Sequence, residues 1–373
     1  MQLLKGSRKS FLAQLESSSM PLTSQDNQRL SKLLFNKCLL ITGAGGSVGK
    51  KIVLAALSYS PSKIILLENN EYALYQLQIE LEGLVTKSGS KVELIFSLAS
   101  VCDPAVLEKL DKDHGINLIY HTASFKHVPL LEENIFAAIS NNIFGSLNIV
   151  KLAQSSKSIE HAVLISTDKA VNASSIMGKT KRVSELLFQA AHEASVKQAV
   201  FTTVRFGNVY GSSGSVVERF EKLLSLKQNL TVTSENMTRY FMNIYDAANL
   251  TLLSTNFDSS HGLVIFDMGK PISILALAKQ MIVDFGLVLK DKENPEGDIA
   301  IEIIGNRAGE KVREELSFSR EVIDTDHPRI KLVKEPKVNW NEMIARVDAL
   351  KSASISRDES KLKTLLDISQ RSI

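Results

Sequence analysis

The sequence predicts an α/β protein in which a doubly wound parallel sheet is followed by a smaller C-terminal α/β lobe. Two observations carry this. Between Lys37 and Gly207 six short apolar runs alternate with helix-patterned stretches, and such alternation demands crossover connections, hence parallel strands with helices on both faces. The first run also opens into its helix through a glycine-rich turn, Thr42-Gly43-Ala44-Gly45-Gly46-Ser47-Val48-Gly49, which fits a strand–turn–helix unit.

The expected strands are Cys38–Thr42, Lys63–Glu68, Val92–Phe96, Asn117–His121, His161–Ser166 and Val200–Phe206. Their near-continuous Ile, Leu and Val content suits a sheet buried on both sides. Helices are expected between them at Gly49–Ser58, Ala73–Lys87, Pro104–His114, Asn134–Ser155 and Met177–Ala194. After Gly207 the alternation breaks down into short elements, with helices expected at Ser215–Leu226, Asp246–Ser254 and Ile274–Phe285. The organisation read from this is a leader over residues 1–35, a main domain over 36–206 and a lobe over 207–373, part of which can return to the main domain. Within the leader, Leu30, Leu33 and Leu34 share one face of a helix from Gln25 to Phe35. That helix is either a docking arm or an element packed on its own domain.

Composition narrows the function. Of 373 residues 44% are hydrophobic and 23% charged, the balance of a globular chain. Basic residues number 44 and acidic ones 41, dispersed along the chain, which argues against a nucleic-acid-binding stripe. Cys38 and Cys102 are the only cysteines and seven histidines are scattered, so neither a disulfide framework nor a metal site is expected. No apolar run approaches bilayer length by this reading, and polar residues interrupt the stretch Met1–Leu22, a poor signal peptide. A cytoplasmic protein is expected.

In the glycine-rich turn, Gly43 permits the tight bend, Gly46 lets backbone approach a pyrophosphate, and Gly49 allows close helix–strand packing. The exposed N–H groups and the helix dipole then hold the anion. Glu68 ends the second strand about twenty residues on, placed to accept from ribose hydroxyls. Asn69-Asn70-Glu71 follows it, with no cation to receive a 2′-phosphate. These features describe a Rossmann-like dinucleotide site for NAD rather than NADP.

The fifth strand ends in Ser166-Thr167-Asp168-Lys169-Ala170, followed by Met177-Gly178-Lys179-Thr180-Lys181. Strand C-termini line the ligand crevice of open α/β sheets, and an adjacent acid and amine in a partly dry site can divide acid and base work. A surface salt bridge is the plainer reading of the same pair. Lys126 and His127, after the fourth strand, either line the ligand crevice or are structural.

These stretches, with His121-Thr122-Ala123-Ser124-Phe125-Lys126-His127-Val128-Pro129, Arg205-Phe206-Gly207-Asn208-Val209, Gly211-Ser212-Ser213-Gly214-Ser215-Val216, Met237-Thr238-Arg239-Tyr240-Phe241-Met242 and Gly309-Glu310-Lys311, resemble the extended short-chain dehydrogenase/reductases. Within that superfamily the chain is similar to the UDP-N-acetylglucosamine 4,6-dehydratases of polysaccharide biosynthesis, from about Lys37 to about Val333. The resemblance implies a UDP-sugar substrate, commonly UDP-N-acetylglucosamine, oxidised at C4 by NAD, dehydrated across C5–C6, and reduced at C6 by the stored hydride. By position it implies Lys169 as the C5 base, Asp168 as the acid at C6, Thr167 at the C4 hydroxyl, and Lys181 at the nicotinamide ribose. It further implies Gly43, Gly46, Ser47, Val48, Gly49, Glu68, Ser100, Val101, Thr122 and Ala123 around the cofactor. For the substrate it implies Lys126, His127, Asn208, Ser213, Arg239, Arg307 and Glu310, with Lys311 nearby, and it gives Asn142 the bracing of an active-site loop. Two departures stand out. Met177 replaces the usual tyrosine, and a thioether has no ionisable proton, so the O4 proton acceptor is Asp168 or a water held by Thr167. Ala99-Ser100-Val101 replaces the usual Gly-Asp-Val, leaving Ser100 to meet the adenine.

The resemblance also implies a homodimer or higher homo-oligomer through the helices Asn134–Ser155 and Met177–Ala194. Competing readings are a nucleotide-sugar C4 or C5 epimerase, which needs no acid at C6, and a non-catalytic NAD-binding sensor, against which the Asp168–Lys169 pair speaks.

Overall fold

A computed structural model describes residues 20–194, 199–257, 262–318 and 321–368; residues 1–19 of the expected leader lie outside them. Six strands appear where apolar runs predicted them: β1 (Cys38–Thr42), β2 (Lys63–Glu68), β3 (Glu93–Leu98), β4 (Leu118–His121), β5 (His161–Thr167) and β6 (Val200–Phe206). All pair in parallel in the order β3-β2-β1-β4-β5-β6. The chain reverses its winding between β1 and β4, which opens a crevice at their C-terminal ends. Every residue of β1 and β4 is buried, the signature of a sheet covered on both faces.

The chain beyond Gly207 serves both parts of the molecule. Leu263–Phe266 joins β6 in parallel, Ile330–Val333 adds antiparallel to it, and Val322–Asp324 closes that edge. Between them a smaller lobe holds three two-stranded sheets and the helices Val216–Ser225 and Ile274–Asp284. Its own core gathers Val217, Phe220, Leu224, Leu230, Met281 and Ile282.

The Ser24–Leu34 helix, opened by a Thr23–Asp26 capping box, packs on its own domain rather than standing free. Its Leu30 and Leu34 are fully buried beside Ile52 and Leu253. One sequence expectation needs correction. Ile135–Ser155 is 21 residues with mean hydropathy 1.3, long and apolar enough to cross a membrane by composition; 61% of that window is buried inside the protein, so its apolar side chains largely face core. The helices Trp340–Ile355 and Glu359–Leu366 bring Met343, Val347, Leu350 and Leu362 against Ile139, Val183, Leu187 and Ala190.

Behind the strand ends lies a closed charge network. Arg205 on β6, fully buried, donates to both Glu185 oxygens at 2.7 and 2.6 Å. Arg182 joins Glu185 at 3.1 Å and Glu335 at 2.6 Å, and Glu335 lies 3.0 Å from Arg205. Ser166 donates to Glu185 at 2.6 Å. Removing one partner of such a set strands an uncompensated buried charge. Glu185→Gln is expected to lower unfolding free energy by about 3–5 kcal/mol, read as a denaturant midpoint; an unchanged midpoint counts against the network.

His121 at the end of β4 is enclosed between Thr42 (2.8 Å) and Ser146 (3.1 Å). Burial, with Lys181 adding to it, pushes its pKa down to about 3. The folded chain therefore keeps it neutral while the unfolded chain protonates it below about pH 6.5, so its stabilising share is whole above that pH and drains away on acidification. Between pH 7 and 5 the native protein should lose about 1–2 kcal/mol more than His121→Gln, measured by urea titration at each pH. Parallel curves would show that His121 does not contribute this way.

Candidate active site

A cavity of about 910 Å³ runs along the crevice, within the range of about 300–1,000 Å³ usual for ligand sites. One end is the glycine turn. Gly43 has φ +65°, and a Cβ there would lie 2.7 Å from Ala123 backbone atoms. A Cβ on Gly49 would meet the Gly43 carbonyl at 2.3 Å and the Thr122 hydroxyl at 2.8 Å. Thr122 closes this junction by donating to the Thr42 carbonyl at 2.6 Å. Gly46 is the N-cap of the Ser47–Leu57 helix, so Ser47, Val48 and Gly49 present the free N–H groups of its first turn to the cavity they line. Such a turn fits a dinucleotide pyrophosphate, and a side chain at Gly43 or Gly49 would push the turn off the Thr122–Ala123 backbone or the Gly43 carbonyl.

Glu68 also lines the cavity. Its carboxylate accepts from the N–H groups of Gly45 (3.0 Å), Asn69 (2.9 Å) and Asn70 (3.0 Å), which fixes it while leaving acceptor capacity for a ribose diol. Gly45 went unnoticed in the sequence; a Cβ there would crowd Ala73 and this carboxylate. Ala99, Val101 and Ala123 complete an apolar wall. Ser100 stands apart from it: its hydroxyl accepts from the Cys102 N–H at 3.1 Å, and it is not among the lining residues.

At the other end, Thr167, Lys169, Met177 and Lys181 converge. Thr167 is the N-cap of a single 3₁₀ turn, Asp168–Ala170, which swings Lys169 into the crevice. Asp168 sits behind, fully buried, accepting from the Thr167 hydroxyl and the Lys169 ammonium, both at 2.9 Å. Its other oxygen has no hydrogen-bond partner. The acid is thus covered by two groups that do face the cavity. Lys169 also donates to Asn208 at 3.3 Å. Lys181 donates to the Ile165 carbonyl at 2.6 Å, and burial, opposed by Glu185, pushes its pKa down to about 8. Met177 is buried against the site.

Lys126, His127, Asn208 and Ser213 line the middle of the cavity. Burial lowers the Lys126 pKa, with Glu218 acting the other way. The Ser213 N–H donates to Ser47 at 3.0 Å, tying the smaller lobe to the glycine turn. Asn142 lies in a π-helical stretch, Ile139–Phe144, of the kind that marks functional positions. It accepts from the Phe125 N–H at 2.8 Å and donates to the Phe125 carbonyl and to Thr180, bracing the loop after β4.

Arg239, Arg307 and Glu310 do not line the cavity. The Arg239 guanidinium is buried and spent on the carbonyls of Thr238, Lys311 and Val312, at 2.7, 2.8 and 3.3 Å. Glu310 lies 3.7 Å from Arg239 and accepts from the Arg307 N–H at 3.3 Å. These residues brace the loop that carries them and stand apart from the cavity lining. Glu314 is the residue the sequence did not reveal: a buried carboxylate 3.7 Å from Lys169, carried in a loop without periodicity. Among the described residues no group of three or more His, Cys, Asp or Glu is arranged for a metal ion.

Comparison with known proteins fits this geometry. Capsular polysaccharide biosynthesis protein CapD of Staphylococcus aureus is 39% identical over 82% of this chain, but only 48% of its own length is matched. The chain spans about half the length of the first curated relatives it matches. UDP-N-acetylglucosamine 4,6-dehydratase (inverting) of Campylobacter jejuni is 32% identical, covering 81% of this chain and 86% of that protein. UDP-glucose 4-epimerase of Rickettsia canadensis is 30% identical over 78% and 80%. Among solved structures, Pen from Bacillus thuringiensis superposes with TM-score 0.71 at 28% identity, covering 82% of this chain and 91% of that one. Residues 39–335 match the family described as polysaccharide biosynthesis protein, and the chain belongs to that family.

Proposed function

We propose that the chain is a nucleotide-sugar 4,6-dehydratase that uses NAD and acts on UDP-N-acetylglucosamine or a near relative. The observation that carries this reading is the Thr167–Asp168–Lys169 arrangement, an acid linked to two cavity-facing groups in the crevice that ends at the glycine turn. Gly43, Gly49, Glu68 and the first turn of the Ser47–Leu57 helix would hold NAD. NAD, when bound, supplies the hydride acceptor at C4 and the donor at C6.

The protein's own part is proton handling. The Thr167 hydroxyl, which donates to Asp168, can accept the O4 proton and pass its own to the carboxylate, work a methionine at position 177 cannot do. Lys169, as the free amine, takes the C5 proton, made acidic by the neighbouring ketone. Asp168 then returns the O4 proton, through Thr167 or Lys169, to the departing C6 hydroxyl, which leaves as water. The C5 proton goes back from Lys169 once C6 has been reduced. Protons balance: the one from O4 leaves in water and the one from C5 is restored.

A C4 epimerase is the second reading, favoured by the likeness to the Rickettsia protein; against it stands an acid that an epimerase has no need of. Purified protein incubated with UDP-N-acetylglucosamine should yield a product lighter by one water in mass spectrometry. An isomer of equal mass would make it an epimerase, and unaltered substrate with bound NAD would make it a sensor.

A further inference from the structure

Lys169 is surrounded by more than its neighbour in sequence. Glu314 Oε1 lies 3.7 Å from Lys169 Nζ and 3.9 Å from Arg239 Nη2, and Glu314 Oε2 lies 3.7 Å from Lys311 Nζ. These are ion-pair distances, too long for hydrogen bonds, and Glu314 Oε2 has no hydrogen-bond partner although the residue is buried. One carboxylate therefore stands among three cations. Two of the three, Lys311 and Arg239, belong to the smaller lobe and its closing loop.

That loop is seated on the segment just after the acid–amine turn. Lys311 donates to the Val171 carbonyl. Ser174 donates to the Gly309 carbonyl at 2.9 Å, and Asn172 donates to Glu315 at 2.9 Å. A Cβ on Gly309 would strike Ser175 at 2.8 Å. The seated loop holds Lys311, with Arg239 packed on its carbonyls, at the same carboxylate that faces a lysine required to act as a base. Cations nearby favour the free amine but make it a weaker base, and a general base needs both availability and proton affinity.

We propose that Glu314 is the positioning residue of Lys169: it fixes one side of the amine in the cavity and offsets the charges of Lys311 and Arg239 when the 309–315 loop is seated. This rests on the dehydratase reading for its purpose, since that reading makes Lys169 a base. Its electrostatics do not depend on turnover. The charged groups facing Lys169 are Asp168 from its own turn, Glu314 and Lys311 from the loop, Arg239 with Glu310 behind it, and Lys181 across the cavity. Glu314 is not itself a lining residue and approaches the cavity through Lys169, so its loss should not disturb the dinucleotide cradle.

The test reads the lysine directly. The full chain is trace-labelled with acetic anhydride across a pH series, and acetylation of Lys169 is followed by peptide mass spectrometry. Glu314→Gln keeps the shape and removes the charge, and the Lys169 midpoint should fall. Lys311→Met removes an opposing cation, and the midpoint should rise. The opposite signs separate an electrostatic role from general loosening, which would move both variants the same way. A midpoint that stays put in both variants, or moves the same way in both, overturns the proposal. Because labelling needs no substrate, absence of dehydratase product would refute the proposed function without touching this result.

Discussion

Four charged side chains meet in a dry space behind β5 and β6, and the site in front depends on them. Arg205 cannot be solvated where it lies, so the forked grip of Glu185 and the approach of Glu335 are what allow β6 to carry it. Phe318 lies under Arg182 and Arg205, with ring distances of 4.8 and 5.5 Å, sealing the set with a residue from the closing loop region. The same Glu185 holds the Ser166 hydroxyl, one position before Thr167. The network therefore joins the end of the acid–amine strand, the helix that carries Lys181, and a late segment of chain.

In front of that network the site divides into a rigid half and an articulated half. Close backbone approach at Gly43, Gly49 and Thr122 leaves the dinucleotide end little freedom. The sugar end is assembled from loops that reach it from far along the chain, Ser212–Gly214 and 309–315, each tied by hydrogen bonds to the rigid half. Asp168 has no direct opening to the cavity, and Thr167 and Lys169 cover it. In the proposed reaction an acid placed this way would work through its hydroxyl and amine neighbours, keeping its proton from bulk water between steps.

Much of this was legible in the sequence because it is local. The parallel strands read as apolar runs since both faces of the sheet are covered, and the glycine turn and Glu68 read from spacing along one βαβ unit. The pair at 168–169 and Lys181 read from their place after β5. What was not legible is set by contacts between distant segments. The bracing of Arg239 by the Lys311 and Val312 carbonyls joins segments some seventy residues apart. Leu263–Phe266 lies where the strand–helix alternation has broken down, so nothing local ties it to the main sheet, and Glu314 has no sequence pattern that would tie it to Lys169.

The central claim is that Lys169 exchanges a proton with C5 of a hexose already oxidised at C4. Solvent deuterium gives the direct measurement: native protein and Lys169→Ala are each incubated with UDP-N-acetylglucosamine in D2O, and the label at C5 is read by NMR. The account predicts deuterium at C5 with the native chain and none above background with Lys169→Ala, while NAD content stays the same. Deuterium entering at the native rate in the variant would contradict it.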